Sequence, residues 1–366
     1  MLKKLDWYII KKYLGSFFFT AFLFTLIALV IDFSEKTEHF VEASKDLTAG
    51  QIFMRYHLNY IPFINGILWP LFSLIAVIFF TSRMAYNSEI ISILNAGVSF
   101  RRLLRPYLVA AVIMTTLLLM FNHFIIPLSN IPRLKFEEKY VNHVSDRKVS
   151  NPNMHFFINP DTKIFLRNYS TSDSLGYSFR MEQYKGTSLV FMLKANIIEW
   201  NKKTQRSWKI KDYEVRHFSD TSETMESFDG KVLDTALNFL PSDFEFYSKQ
   251  KDLMITPELQ ALVDKERARG LNPVKDYLIE IYRRTADPFT ILILTVMGVA
   301  IAARKVRGGM GLHLAIGISI GALFVFISKF STVFSRDPNI PTLLGIWLPN
   351  IIFSIVAYRL AQKAQQ

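Results

Sequence analysis

The chain has 366 residues, 50% of them hydrophobic, with a mean hydropathy of +0.20. A soluble domain of this length cannot bury so much clustered apolar sequence, so a wholly soluble protein is excluded. Cysteine is absent, which rules out a disulfide framework, a thiolate metal site and a cysteine nucleophile; the net charge of +12 points to acidic partners, but its placement matters more than its total.

The first apolar segment covers residues 13–33, behind Lys3, Lys4, Lys11 and Lys12. About 20 apolar residues suffice to cross a bilayer. This segment starts too late, and is too long and aromatic, for a cleaved signal peptide; with no small-residue cleavage site after it, it reads as a signal anchor. Asp32, Lys36 and His39 lie at or beyond its far end. A second segment covers 57–80 and a third 105–128, with His123 near the third's far end.

Between the second and third lies Asn87-Ser88-Glu89-Ile90-Ile91-Ser92-Ile93-Leu94-Asn95-Ala96-Gly97-Val98-Ser99, flanked by Arg83, Arg101, Arg102 and Arg105. Ile90, Ile93, Leu94 and Gly97 recur at helical spacing and form one narrow apolar stripe. Asn87 or Ser88 caps the start, Glu89 sits in the first turn, and Gly97 takes a left-handed stop. The short helix either lies flat on lipid or inserts into a groove on a partner, where Glu89 meets an arginine.

A polar stretch of roughly 150 residues follows, with no span of its own. Residues 156–158, 163–167, 177–184, 188–200, 207–218 and 227–233 are short runs rich in aromatic and β-branched residues, several of them alternating. Asn159-Pro160-Asp161, Asn201-Lys202-Lys203 and Asp229-Gly230 supply turns between them. The spacing predicts an antiparallel sandwich or barrel-like module. Its inward aromatics either fill a dry core or receive acyl chains. His155 and His217 lack spaced partners and read as ordinary sheet or surface histidines. Thr256-Pro257-Glu258-Leu259 then opens a helix that Gly270 stops, with Thr256 as N-cap and Pro257 in the first helical position. A second helical pattern, 274–284, leads into the fourth span.

That fourth span, 286–303, is short and needs residues 281–287 or tilt to cross. The fifth covers 311–330 and the sixth 341–359. Arg304, Lys305 and Arg307 separate the fourth from the fifth, and Arg359 and Lys363 follow the sixth. In a six-span arrangement every one of these basic clusters falls on one side, with both termini. The positive-inside rule makes that side cytoplasmic and the middle module periplasmic in a bacterium.

No P-loop, H-E-x-x-H or G-x-S-x-G occurs, so no ATP site or hydrolase site is expected in this chain, and no cofactor. Nor does anything call for nucleic acid as a partner. No mid-membrane proton relay is visible. Lys36 and Lys329, at the outer ends of spans one and five, are either snorkelling anchors or cations that bind headgroup phosphate.

From Leu5-Asp6-Trp7-Tyr8-Ile9 to the last span the chain resembles the LptF/LptG permeases of lipopolysaccharide export. The most specific parts are Ser88-Glu89-Ile90-Ile91 with Ala96-Gly97-Val98-Ser99, and Thr256-Pro257-Glu258-Leu259 followed by Tyr282-Arg283-Arg284, Asp287-Pro288-Phe289 and Arg307-Gly308-Gly309. The strand-rich middle matches by position and pattern. The resemblance implies six transmembrane helices with a periplasmic antiparallel β-jellyroll between helices three and four. The domains are then 1–130 (with a coupling helix at about 87–97), 131–255 (the jellyroll) and 256–366. It also implies a second homologous six-span permease around a lipid cavity, a dimeric cytoplasmic P-loop ATPase docked on the Glu89 helix, a periplasmic jellyroll bridge protein, and lipopolysaccharide as cargo. Spans one and five become lateral gates, and Lys36, following Asp32-Phe33, the candidate for headgroup phosphate. Lys329 matches no cation of the family pattern and stays a physical inference. Gly317-Ile318-Ser319 and Leu348-Pro349 point to the G-type subunit. The competing reading is a membrane-anchored envelope assembly protein whose β domain binds another protein. A membrane enzyme ranks last, for want of a nucleophile–base pair.

Overall fold

Six helices are long and apolar enough to cross a membrane in the computed structural model, which describes residues 3–141, 154–159, 161–170, 173–201, 207–219, 222–237, 239, 250–268, 274–304, 309–337 and 339–364. The chain divides into two compact units, Met1–Arg133 with Lys275–Gln366, and Leu134–Val274.

In the first unit, α1 (Lys4–Glu35) is followed by the short α2 (Thr37–Ala43), the span α3 (Ala49–Tyr86), the short α4 (Glu89–Asn95) and the span α5 (Phe100–Val141), whose tail from Leu134 belongs to the second unit. The later spans are α7 (Val274–Ala302), α8 (Gly309–Phe334) and α9 (Thr342–Ala364); α6 (Thr256–Ala268) belongs to the second unit. Leu74, Val77 and Ile78 of α3, Met114 of α5 and Ile291 and Met297 of α7 are buried in one continuous core.

Small residues let these helices approach. A Cβ at Gly298 of α7 would overlap Val77, and one at Gly317 of α8 would overlap Ile78, so both helices lie close against α3. Several polar groups inside the bundle are paired across helices. The Tyr13 hydroxyl of α1 lies 2.6 Å from Ser73 Oγ of α3 and 2.8 Å from Thr295 Oγ1 of α7. Farther along α1, Asn65 Nδ2 donates to Thr25 Oγ1 at 3.0 Å, while Trp69 Nε1 donates to Asn65 Oδ1 at 3.0 Å.

The fourth span is longer than hydropathy alone predicts, because helix α7 runs through Pro288 from Val274. A proline frees the carbonyl four residues before it, and in lipid that carbonyl must find another donor. Asn122 Nδ2 of α5 donates to the Arg284 carbonyl at 3.3 Å. Pro349 of α9 repeats the device: its freed carbonyl, Gly345, accepts from Ser331 Oγ of α8. Each proline thus ties its helix to a neighbour instead of ending it.

The second unit is built on an antiparallel sheet inserted between the third and fourth spans. Strands β1 (Met154–Asn159), β2 (Thr162–Ser170), β3 (Leu175–Lys185), β4 (Ser188–Trp200), β5 (Trp208–Phe218) and β6 (Glu223–Thr235) pair in sequence order. One face is buried, by Ile164, Leu166, Phe179, Leu193, Ile198 and Ile210. The sheet curls strongly. Tyr169 of β2 and Trp208 of β5 stand three strands apart, about 14 Å on a flat sheet, yet their ring centroids are 6.5 Å apart. Ser178 and Asp212 take positive φ, 54° and 51°, as strand irregularities that sharpen the coil. Asp212 Oδ1 accepts from the Gly230 N–H at 3.0 Å. Asp229-Gly230 is therefore not a turn between strands, as expected, but a kink inside β6, with Gly230 at φ 73°. The α6 cap also differs. Glu258 accepts from the Ile255 N–H at 3.3 Å, so Ile255 takes the cap position and the helix begins at Thr256, the residue expected as its cap. Pro160, Lys202, Lys203, Gly270, Lys305, Arg307 and Gly308, which enter the expected turns, helix stop and basic loop, lie outside the described residues.

Candidate functional site

A polar constellation gathers around α4. Helix α3 ends at Tyr86, and the chain reverses through Ser88 at φ 62° and ψ 11°. That left-handed conformation turns the Ser88 side chain away from the helix start, so it makes no cap. Its carbonyl instead accepts from the Ser92 N–H and the Ser92 hydroxyl, both at 3.0 Å. Gly97 ends the turn at φ 84°, with its N–H on the Leu94 carbonyl at 3.0 Å. Ser99 Oγ then accepts from the Arg102 N–H at 3.3 Å and starts α5.

The apolar stripe faces inward. Ile90 is fully buried, and Ile93 and Leu94 pack half-buried on the same core. The surface left open carries Ile91, Ser92, Asn95, Ala96 and Gly97. Ile90 therefore cannot touch a partner; it seats α4 on the bundle. Glu89 is half-buried and accepts long contacts, both 3.4 Å, from the Tyr8 hydroxyl of α1 and Asn87 Nδ2. It borders a cleft of about 410 Å³ whose wall includes Lys11, Lys12 and Arg83.

Sequence reading missed the strongest link here. Arg102, at the start of α5, donates two parallel bonds to the Asp6 carboxylate of α1, each 2.7 Å. Asp6 is 2% exposed and also accepts from the Lys3 N–H at 2.7 Å. The available signal was an acid in the first turn of an apolar helix flanked only by lysines. Its partner lies 96 residues away, beyond the reach of any local pattern.

At the far end of α1, Lys36 Nζ donates to Asp32 Oδ1 at 2.7 Å and to the Tyr56 hydroxyl. Tyr56 also donates to Asp32 Oδ1 at 3.1 Å, and the ammonium lies 5.0 Å from the Tyr56 ring centroid and 5.9 Å from that of Tyr60. The cation expected to face a headgroup is thus set against a carboxylate that is 5% exposed. Beside it, Leu26, Val30, Phe33, Phe40 and Phe53 line an apolar cavity of about 580 Å³.

Lys329 of α8 stands elsewhere. It shares a cavity of about 200 Å³ with Arg283 and Asp287 of α7, walled by Ile67 and Leu71 of α3. Arg283 Nη2 donates to Glu280 Oε2 at 2.8 Å, and Arg284 Nε to Glu280 Oε1 at 3.1 Å. Lys36, held by Asp32 and Tyr56, is not in the wall of the cavity that Lys329 lines, so the two cations do not form one site. His217 lies on β5 against Phe191, their rings 5.2 Å apart, and no cluster of three metal-ligating side chains occurs among the described residues.

Six spanning helices, an antiparallel module between the third and fourth, and a seated helix between the second and third define a multi-pass membrane protein of the permease type. Residues 7–363 match the family model described as lipopolysaccharide export system permease LptF/LptG, and the chain belongs to that family. No curated protein matches it.

Proposed function

We propose that this permease is one of two membrane subunits of an ATP-driven exporter that extracts lipopolysaccharide and passes it to a periplasmic jellyroll bridge. The observation that carries the reading is α4. It is anchored by Ile90 and leaves Ile91, Ser92, Asn95 and Ala96 open beside a basic cleft. A dimeric P-loop ATPase binds this face on the cytoplasmic side, and Asp6–Arg102 and Tyr8–Glu89 join the docking segment to α1. Charge supports the side: Lys3, Lys4, Lys11, Lys12, Arg83, Arg101, Arg102 and Arg105 all lie at the α4 end of their helices, as the positive-inside rule expects of a cytoplasmic face, with both termini there and the sheet in the periplasm.

Helices α1 and α8 leave Phe18, Phe22, Val30, Leu323, Phe326 and Phe330 exposed, which suits spans that pack against the second permease or open laterally. Lys329 and Arg283 meet the lipid phosphate, while Lys36 holds Asp32. The sheet order leaves β1 and β6 as edges among the described residues, and an edge strand can pair with the bridge protein's sheet.

The test is Ile91→Glu and Glu89→Arg in the full chain, expressed with its neighbours and purified in mild detergent. Both variants are expected to copurify less ATPase while the second permease stays bound. Normal ATPase recovery with normal lipid-stimulated hydrolysis in both would overturn the docking face.

A further inference from the structure

A groove runs between α5, α7 and α9 at the end of the bundle that carries α4. It has a volume of about 450 Å³. Leu104 and Leu108 of α5 form one wall and Leu292 and Val296 of α7 another. The groove exists because α9 presents Ser354, Ala357 and Ala361 along this face, and small side chains leave room between helices. From Arg101 to Leu108 it runs about 10 Å along α5, within the roughly 15 Å of hydrocarbon in one leaflet.

Its mouth carries charge of one sign. Arg101 lines it, Tyr358 and Gln362 stand on the α9 bank, and no acidic residue is in the lining. The three arginines at the start of α5 divide by partner. Arg102 is tied to Asp6, whereas Arg101 and Arg105, one turn apart on the same face, form no ion pair among the described residues. A guanidinium without a carboxylate, above an apolar trough one leaflet deep, is complementary to one ligand class.

We propose that this groove holds an anionic phospholipid of the leaflet bordering α4, with its phosphate on Arg101 and an acyl chain against Leu104, Leu108, Leu292 and Val296. The lipid braces the first turns of α5, the helix that follows α4. This site is separate from the proposed export path, and its occupancy is read without nucleotide or cargo.

The experiment takes the full chain, with the chains that copurify, in mild detergent. Bound lipid is counted by native mass spectrometry after delipidation and addition of phosphatidylglycerol or phosphatidylethanolamine. One phosphatidylglycerol per chain is expected, retained over phosphatidylethanolamine. Arg101→Glu should lower retention about tenfold, the effect of losing one charge-assisted bond. Ser354→Trp fills the trough, keeps Arg101, and should lower retention as well. Arg359→Glu, an equal charge change outside the lining, should not. Equal retention of both lipids, an unchanged Arg101→Glu, or equal loss in Arg359→Glu overturns the site. So does a photocrosslinker at Leu108 that captures a polypeptide instead of lipid.

Discussion

Replacing Tyr13 by phenylalanine removes one oxygen atom from the middle of the bundle and leaves the ring. The hydroxyl lies within bonding distance of Ser73 Oγ and Thr295 Oγ1, and Tyr13 is fully buried. Hydrogen bonds between helices in membranes contribute about 0.6 kcal/mol each, so two give about 1.2 kcal/mol. The cost stays there because neither neighbour is orphaned. Thr295 Oγ1 also donates to the Ile291 carbonyl at 2.7 Å, and Ser73 Oγ remains 3.4 Å from Thr295 Oγ1. Tyr13→Ala removes the ring too, leaving a void beside Tyr107, whose ring centroid lies 5.8 Å away; truncation of a large buried side chain costs about 4 kcal/mol. Unfolding in mixed micelles, followed by circular dichroism as dodecyl sulfate is titrated in, ranks the two. A Tyr13→Phe loss as large as that of Tyr13→Ala would refute the reasoning, as would no loss at all.

Lys36→Met strands the Asp32 carboxylate, and a partly exposed pair broken this way costs about 2 kcal/mol in the same titration. Adding Asp32→Asn should restore most of it; a double variant no better than the single one would make Lys36 important for some contact other than Asp32. Gly298→Val forces side-chain atoms into Val77 and should cost about 1–3 kcal/mol, whereas Gly15→Ala, with open space around its Cβ position, should leave stability unchanged or raised by up to about 1 kcal/mol. Equal effects at the two glycines would show that close packing on α3 is not what Gly298 provides.

The spans and the intervening sheet were legible because they rest on composition: apolar runs cross lipid, and alternating runs pair into strands. Lysine and arginine placement gives only an expected direction across the membrane. Where one helix leaned on another, local pattern failed. Hydropathy began the fourth span at 286, because nothing near Pro288 in sequence reveals that Asn122 will take the Arg284 carbonyl. The α4 stripe was visible, but not which way it faced; Ile90 reads the same on a partner's groove as on the core of its own bundle. Lys36 was the headgroup candidate from its place after Asp32-Phe33 at the outer end of span one; its second bond, to Tyr56, comes from α3 and no local pattern shows it. Asp6 and Arg102 each looked unexceptional until the fold brought them together.

The polar stitches along α1 have a mechanical consequence. The helix is continuous from Lys4 to Glu35 and contains no proline, so it moves as a rod. Tyr13 is bonded to α3 and α7 near one end of that rod. At ~1.5 Å per residue, Asp6 lies about 10 Å to one side of it and Lys36 about 35 Å to the other. Because the bonds at Tyr13, Thr25 and Lys36 all reach α3, α1 and α3 form one stiff pair, and the Asp6–Arg102 link ties the near end of that pair to the segment beside α4.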